Sequence, residues 1–214
     1  MPGPEAYDAT PFVPEGARIG ELREAAAGCE GCPLFRDATQ TVFGRGRLSA
    51  RVVLLGEQPG DQEDRQGEPF VGPAGKLLRR ACAEASIDPD DTYVTNAVKH
   101  FKFELQEERG KRRIHKPPTL RELSACHPWL TAELHLVKPE LVVALGATAG
   151  KALYGSGFRV TQERGSVLDP PDGLEADAVV ATIHPSAVLR AGDNRDEVYA
   201  GLVADLRVAA GALG

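Results

Sequence analysis

Four short apolar runs punctuate the chain, at 51–56, 92–98, 141–146 and 178–183. Each is too short for a buried helix, and glycine or polar residues bound it, so each reads as a strand. The run 92–98 alternates and is rich in β-branched residues, whereas 141–146 is almost wholly apolar, as a central parallel strand should be. The stretches between them carry helical spacing, at about 19–27, 73–86, 147–154 and 195–209. Thr119 with Glu122 three residues later forms a capping box for a further helix that runs to about Val137. Strands alternating with helices predict an α/β fold, a three-layer α/β/α arrangement around a central parallel four-stranded sheet.

The first strand leads into a long polar turn, 56–72, where Glu57, Gln58, Asp61 and two glycines crowd beyond the strand end. Ordinary strand-to-helix connections take only a few residues, and this one also carries an aromatic, Phe70. Pro73 suits the first turn of the helix that follows. Glu57, Asn96 and His184 sit at the carboxyl ends of three different strands. Parallel pairing brings such positions to one edge of the sheet, where open α/β folds build their sites. A carboxylate, an amide and an imidazole converging there predict a functional site. Among the remaining acids of the turn, Asp61 is the expected supporting residue, while Glu63 and Asp64 either hold the loop or face solvent.

Composition adds boundaries. The 214 residues are 42% hydrophobic and 26% charged, enough for a full core. Residues 1–17 are rich in Pro and Gly and read as an extended segment ahead of a single domain, 18–214. No apolar run approaches membrane-spanning length and the N-terminus lacks a signal pattern, so a cytoplasmic protein without membrane contact is expected. The formal net charge of −6 gives no global attraction to nucleic acid, yet 99–116 holds seven Lys/Arg against three acids. That basic segment suits either phosphate contact or a solvated loop. Four cysteines in such a chain argue against disulfides. Cys29 and Cys32, two residues apart, suit one metal centre, a redox pair or two small core residues. Cys82 falls in the apolar pattern of the 73–86 helix and reads as a packing residue.

Four pieces in order, GEQPG (56–60), GEPFVGPAGKLL (67–78), TNAVKH (95–100) and IHPSAVLR (183–190), resemble the iron–sulfur uracil-DNA glycosylases, across about 19–205. Three departures from the usual family pattern are similar to the UdgX-type branch, whose members become covalently joined to uracil-containing DNA. Gln58 replaces a small residue, His100 stands where a cluster-ligand cysteine is usual, and the insert ERGKRRIHKPP (108–118) carries a second histidine, His115.

The resemblance implies that uracil leaves the base stack and enters a pocket. Phe70 would stack on it, Asn96 would read its edge, and Gly56, Gln58 and Asp61 would complete the substrate site. His184 would donate to the departing O2, and free uracil would be the product. Arg113, Ser186, Leu189 and Arg190 are the implied DNA contacts, Leu189 as an apolar wedge. His115 would attack C1′ of the cationic sugar with Glu57 orienting its ring and taking its proton. Cys29, Cys32, His100 and Cys126 would bind a [4Fe–4S] cluster, tetrahedral zinc being the competing occupant. The resemblance also implies a monomer acting on single- or double-stranded uracil-DNA.

Overall fold

The computed structural model describes residues 7–106 and 112–213. In chain order the helices are α1 (Ile19–Ala26), α2 (Asp61–Gln66), α3 (Pro73–Glu84), α4 (Leu120–Val137), α5 (Ala147–Tyr154), α6 (Val160–Glu163), α7 (Pro185–Arg190) and α8 (Arg195–Gly211). The strands are β1 (Arg45–Gly46), β2 (Val52–Gly56), β3 (Thr92–Asn96), β4 (Phe103–Gln106), β5 (Arg112–His115), β6 (Leu141–Leu145), β7 (Val167–Leu168) and β8 (Ala178–Thr182).

The four apolar runs form the parallel centre of the sheet, in the order β3-β2-β6-β8. The sheet has six strands rather than four, because β1 and β7 add antiparallel edges of two residues each. Their shortness is why no periodicity announced them. Strand order reverses between β2 and β6, which makes the crevice there the topological switch point.

Alternate residues of each strand enter opposite core layers. Val53, Leu55, Val142, Ala144, Val179 and Ala181 pack beneath α1, α4 and α5. Val52, Leu54, Leu141, Val143, Leu145 and Val180 pack beneath α3, α7 and α8. Burial on both faces explains the continuous apolar runs. Cys82 belongs to the second layer, whereas Cys29, Cys32 and Cys126 share the first. The N-terminal segment is pinned from Ala9, which is buried and donates its N–H to Ala125 O at 3.0 Å.

Besides the edge strands β1 and β7 and the short helices α6 and α7, two further features were not expected. The polar turn 56–72 contains α2, held at its start by Glu63, which accepts from the N–H groups of Gly60 (3.1 Å) and Gly72 (2.8 Å). The basic segment folds into an antiparallel hairpin, β4 against β5, with Phe103 opposite His115. Its tip, including Arg109 and Lys111 of the basic run, lies outside the described residues.

A buried ion pair joins the segment just after β3 to α4. Lys99 Nζ contacts the Glu133 carboxylate, and both side chains are almost wholly enclosed. Glu133 also accepts from Gly44 N (2.8 Å), Tyr93 Oη (2.9 Å) and Thr95 Oγ1 (2.9 Å). Removing one partner of such a pair strands the other charge in the core, which costs about 3–5 kcal/mol. Glu133→Leu is therefore expected to lower stability by about that amount, read as the shift of the urea midpoint.

Candidate active site at the carboxyl edge of the sheet

A cavity of about 690 Å³ opens at the carboxyl edge of the parallel strands. All four central strands contribute to its surroundings: Glu57 follows β2, Asn96 ends β3, Thr148 lies just past β6 and His184 follows β8. Phe70, Asn96 and His184 line one part of it and form a slot. Phe70 lies 6.4 Å from the His184 ring, centroid to centroid, with 31° between the planes. The Asn96 side chain is buried, lines the cavity and has no hydrogen-bond partner among the described residues. Gly56 makes room for both, since a Cβ there would stand 2.3 Å from Asn96 Oδ1 and 2.6 Å from Phe70 Cζ. Phe70 itself holds a left-handed backbone (φ 57°), and its carbonyl packs where any Cβ on Gly75 would fall.

His184 has a defined tautomer. Ser186 N–H donates to its Nδ1 at 3.2 Å, and Ser186 Oγ lies 2.7 Å from the same nitrogen while accepting from Arg190 Nη1 at 3.0 Å. Nδ1 is thus an acceptor, Nε2 carries the proton, and that N–H has no partner among the described residues. Burial, reinforced by the charges of His115 and Arg190 against the opposing pull of Glu57, pushes the imidazole down to about 4. At neutral pH it is an uncharged donor.

Glu57 moves the other way relative to its burial. Enclosure alone would raise its carboxyl, but hydrogen bonds from His115 and Thr148, with the nearby histidine charges, bring it below the usual range. His115 Nε2 sits 3.2 Å from Glu57 Oε1, and Thr148 Oγ1 bonds the other oxygen across the switch point. Thr148 did not emerge from the sequence. The strand-end rule that located the other residues also covers it, at the second residue of α5 after β6.

Two expected substrate residues line the cavity and are also bonded to other parts of the protein. Gln58 is buried and grips the base of the hairpin: Nε2 donates to Lys102 O (3.2 Å) and Lys116 O (3.0 Å), and Oε1 accepts from Lys102 N (3.2 Å). Asp61 bonds Arg65 Nε (2.9 Å) and Arg113 Nε (2.5 Å). Arg113, expected to meet DNA, is committed to protein instead. Its guanidinium pairs with Asp61 and the buried Asp64, and lies over the Phe101 and Phe103 rings at 5.3 and 5.0 Å. The cations at the cavity that remain exposed are Arg112 and Arg190. Leu189 is exposed on α7 beside them.

Of the four expected metal ligands, Cys29, Cys32 and Cys126 lie in one core layer. No group of three or more His, Cys, Asp or Glu side chains among the described residues has metal-binding geometry. The His100 ring is turned to Thr41 Oγ1 (2.9 Å), which itself donates to Ala26 O (2.8 Å). Nε2 must then carry the proton, and Nδ1 has no partner among the described residues. The cysteines are buried in one layer; Trp129 Nε1–H points at Cys29 Sγ (3.2 Å) and Lys99 N–H at Cys126 Sγ (3.3 Å). Burial pushes the Cys126 thiol up to about 12, and the neighbouring Cys32 and Cys29 add to it. Buried sulfurs with N–H donors and a neutral imidazole are a donor set suited to an iron–sulfur centre.

A doubly wound parallel sheet with an amide, an aromatic ring, a neutral histidine and a histidine–carboxylate pair around a cavity at its carboxyl edge defines an α/β protein of the doubly wound class with a polar cleft at the switch point. The chain belongs to the uracil DNA glycosylase superfamily, whose family model matches residues 43–207. It is 37% identical over 174 residues to a type-4 uracil-DNA glycosylase of Thermotoga maritima, covering 81% of this chain and 84% of that protein. It is 32% identical over 177 residues to the type-4 enzyme of Pyrobaculum aerophilum, covering 80% and 85%. Similarity extends to a type-5 uracil-DNA glycosylase of the same organism, 33% identical over 141 residues, 56% of this chain and 58% of that protein.

The depressed His184 value has a consequence for stability. The unfolded chain takes up a proton on this ring near pH 6.5, and the folded protein only near pH 4. Between those values the unfolded state binds more protons. The contribution of the neutral ring is complete above pH 6.5 and is lost as pH falls toward 4. His184→Asn is expected to flatten that part of the stability profile, measured by urea unfolding at a series of pH values.

Proposed function

We propose that this chain excises uracil from DNA and then bonds His115 to C1′ of the resulting sugar, so that the protein stays on its product. Superfamily membership and similarity to the type-4 enzymes support excision. The observation that supports the covalent step is the His115–Glu57 pair at 3.2 Å, at the edge of the cavity that Phe70, Asn96 and His184 line.

The flipped base enters the slot, stacks on Phe70 and pairs its edge with the Asn96 amide. Cytosine presents the opposite donor and acceptor order and leaves that amide mispaired. As the bond from the base to C1′ breaks, its electrons pass to uracil, and the His184 Nε2–H donates to the developing charge. A neutral donor keeps the buried site free of a second cation beside the positive sugar. The lone pair of the His115 ring then forms the new bond to C1′, and Glu57 takes the ring proton. Thr148 holds the Glu57 carboxylate in plane for that transfer. Leu189 fills the gap left in the stack while Ser186, Arg190 and Arg112 face the backbone.

The same reading gives Cys29, Cys32, Cys126 and the Nδ1 of His100 to a [4Fe–4S] cluster. When bound it would supply a structural tie between the N-terminal turn, α4 and the segment after β3, with no electron transfer. The purified protein is expected to be brown and to contain about four iron atoms per chain, which Cys126→Ala should lower while Cys82→Ala leaves it unchanged. A colourless preparation with one zinc per chain would replace the cluster with a zinc site.

The test of the reaction is denaturing electrophoresis with a uracil-containing oligonucleotide. The parent is expected to give a detergent-stable adduct. His115→Ser is expected to release uracil without an adduct, water taking the vacated place. Thr148→Val removes one hydrogen bond to a charged group, worth about 1.5–3 kcal/mol, and should slow adduct formation by about ten- to a hundredfold. Uracil release by the parent with no adduct would identify a hydrolytic glycosylase, and an adduct with His115→Ser would place the nucleophile elsewhere.

A further inference from the structure

On the outer side of α7 lies a second cavity, of about 500 Å³, formed with α3 and α8. Its apolar wall is Pro73, Leu77, Leu189 and Tyr199, and its cations are Lys76, Arg80 and Arg195, with Asp196 the acid in the lining. Lys76 and Arg195 are exposed and have no ion-pair or hydrogen-bond partner among the described side chains. Arg80 is fixed: its guanidinium lies 4.9 Å above the Tyr199 ring and its Nε bonds Glu84 at 2.8 Å, while Tyr199 Oη donates to the same carboxylate at 3.0 Å.

This cavity and the active-site cavity are two sides of one ridge. Ala74, Ser186 and Arg190 line the active-site cavity, and their neighbours Pro73, Leu77 and Leu189 line the second. The exposed wedge Leu189 therefore stands between a slot for a planar base and a cleft that combines cations with apolar and aromatic surface. Such a combination is what a single nucleic-acid strand requires, phosphates against the cations and sugars or bases against the apolar wall. On a chain of formal charge −6, two unpaired cations at this one place favour a polyanion over an acidic neighbour's opposite charge pattern or a second copy of the chain.

We propose that this cleft is a second nucleic-acid site, which holds the DNA strand where it continues beyond Leu189 from the active-site cavity. The identity of the strand rests on the excision reading above. The site extends the footprint to nucleotides that never meet the chemistry, and it gives a strongly acidic surface its grip on DNA once Arg113 is taken up by Asp61 and Asp64.

The test is fluorescence anisotropy of the whole protein with a labelled single-stranded oligonucleotide that contains no uracil, which separates strand binding from excision. Lys76→Gln combined with Arg195→Gln should lower the slope of log affinity against log salt by about 1.4, because each phosphate contact on a single strand contributes about 0.7. Arg18→Gln, which removes an exposed cation at the start of α1, should leave the slope near the parent's. With uracil oligonucleotides, lengthening the strand on one side of the uracil should tighten binding to the parent and not to the double variant. An unchanged slope in the double variant overturns the proposal, as does an equal loss with Arg18→Gln. Competition by poly-glutamate as strong as by DNA of equal charge would assign the cleft to an acidic protein segment and overturn it as well. The two readings fail separately. A parent that releases no uracil but shows the stated slopes loses the excision reading and keeps the site, and a parent that releases uracil with coincident slopes does the reverse.

Discussion

Two-stranded hairpins are marginal in water, so the position of β4 and β5 depends on what fastens them to the rest of the chain. The fastening is the Arg113 guanidinium. It lies over Phe101 and Phe103 and bonds two carboxylates of α2, one of which, Asp64, is wholly buried. Dehydrating these groups is costly, and the cost is offset only because the planar fork meets Asp61 and Asp64 together. A lysine at this position could neither span both carboxylates nor stack on the rings. Gln58 completes the attachment by binding the main chain at both feet of the hairpin. α2 and Gln58 both follow directly from β2, so the hairpin is in effect mounted on a central strand, and the last residue of β5 is His115.

The same cavity drives two ionisable groups in opposite directions. His184 receives donors on one nitrogen and no charge-stabilising acceptor on the other, so burial wins and the ring is neutral. Glu57 receives a donor on each oxygen, and these overcome the same burial. Paired groups whose environments push them apart divide the acid–base roles. A neutral donor faces the slot where negative charge would develop, and an ionised carboxylate faces the imidazole whose proton would leave on the proposed reading.

Much of this was legible from the sequence because it follows from burial. The four central strands, the capping box of α4 and the approach of Glu57, Asn96 and His184 all derive from local pattern plus parallel pairing. What was not legible depends on partners far along the chain. α2 has no apolar stripe, since its one buried residue is Asp64, whose charge is met by an arginine 49 residues away. The hairpin was hidden for the same reason, and Arg113 looked like a phosphate contact because an arginine's partner cannot be read from its neighbours. Gln58 lines the cavity as expected, but its bonds to main chain 44 and 58 residues on could not be read from its neighbours. The contact between His100 Nε2 and Thr41 Oγ1, 59 residues apart in the chain, could not be read from the sequence either.

These attachments bear on why a histidine rather than water would reach C1′. A hydrolytic carboxylate needs an oxygen free to orient a water molecule. Here one Glu57 oxygen bonds Thr148 and the other faces the His115 ring, so a water oriented by Glu57 must compete with an imidazole already in place. The imidazole holds that place at little entropic cost because its strand is fixed at the feet by Gln58 and along its length by Arg113. Preorganisation of this kind favours the tethered nucleophile over a solvent molecule that must be captured for each event. On the proposed reading, the contacts that look furthest from the chemistry, a guanidinium on two phenyl rings and an amide on two carbonyls, would then be the ones that select the nucleophile.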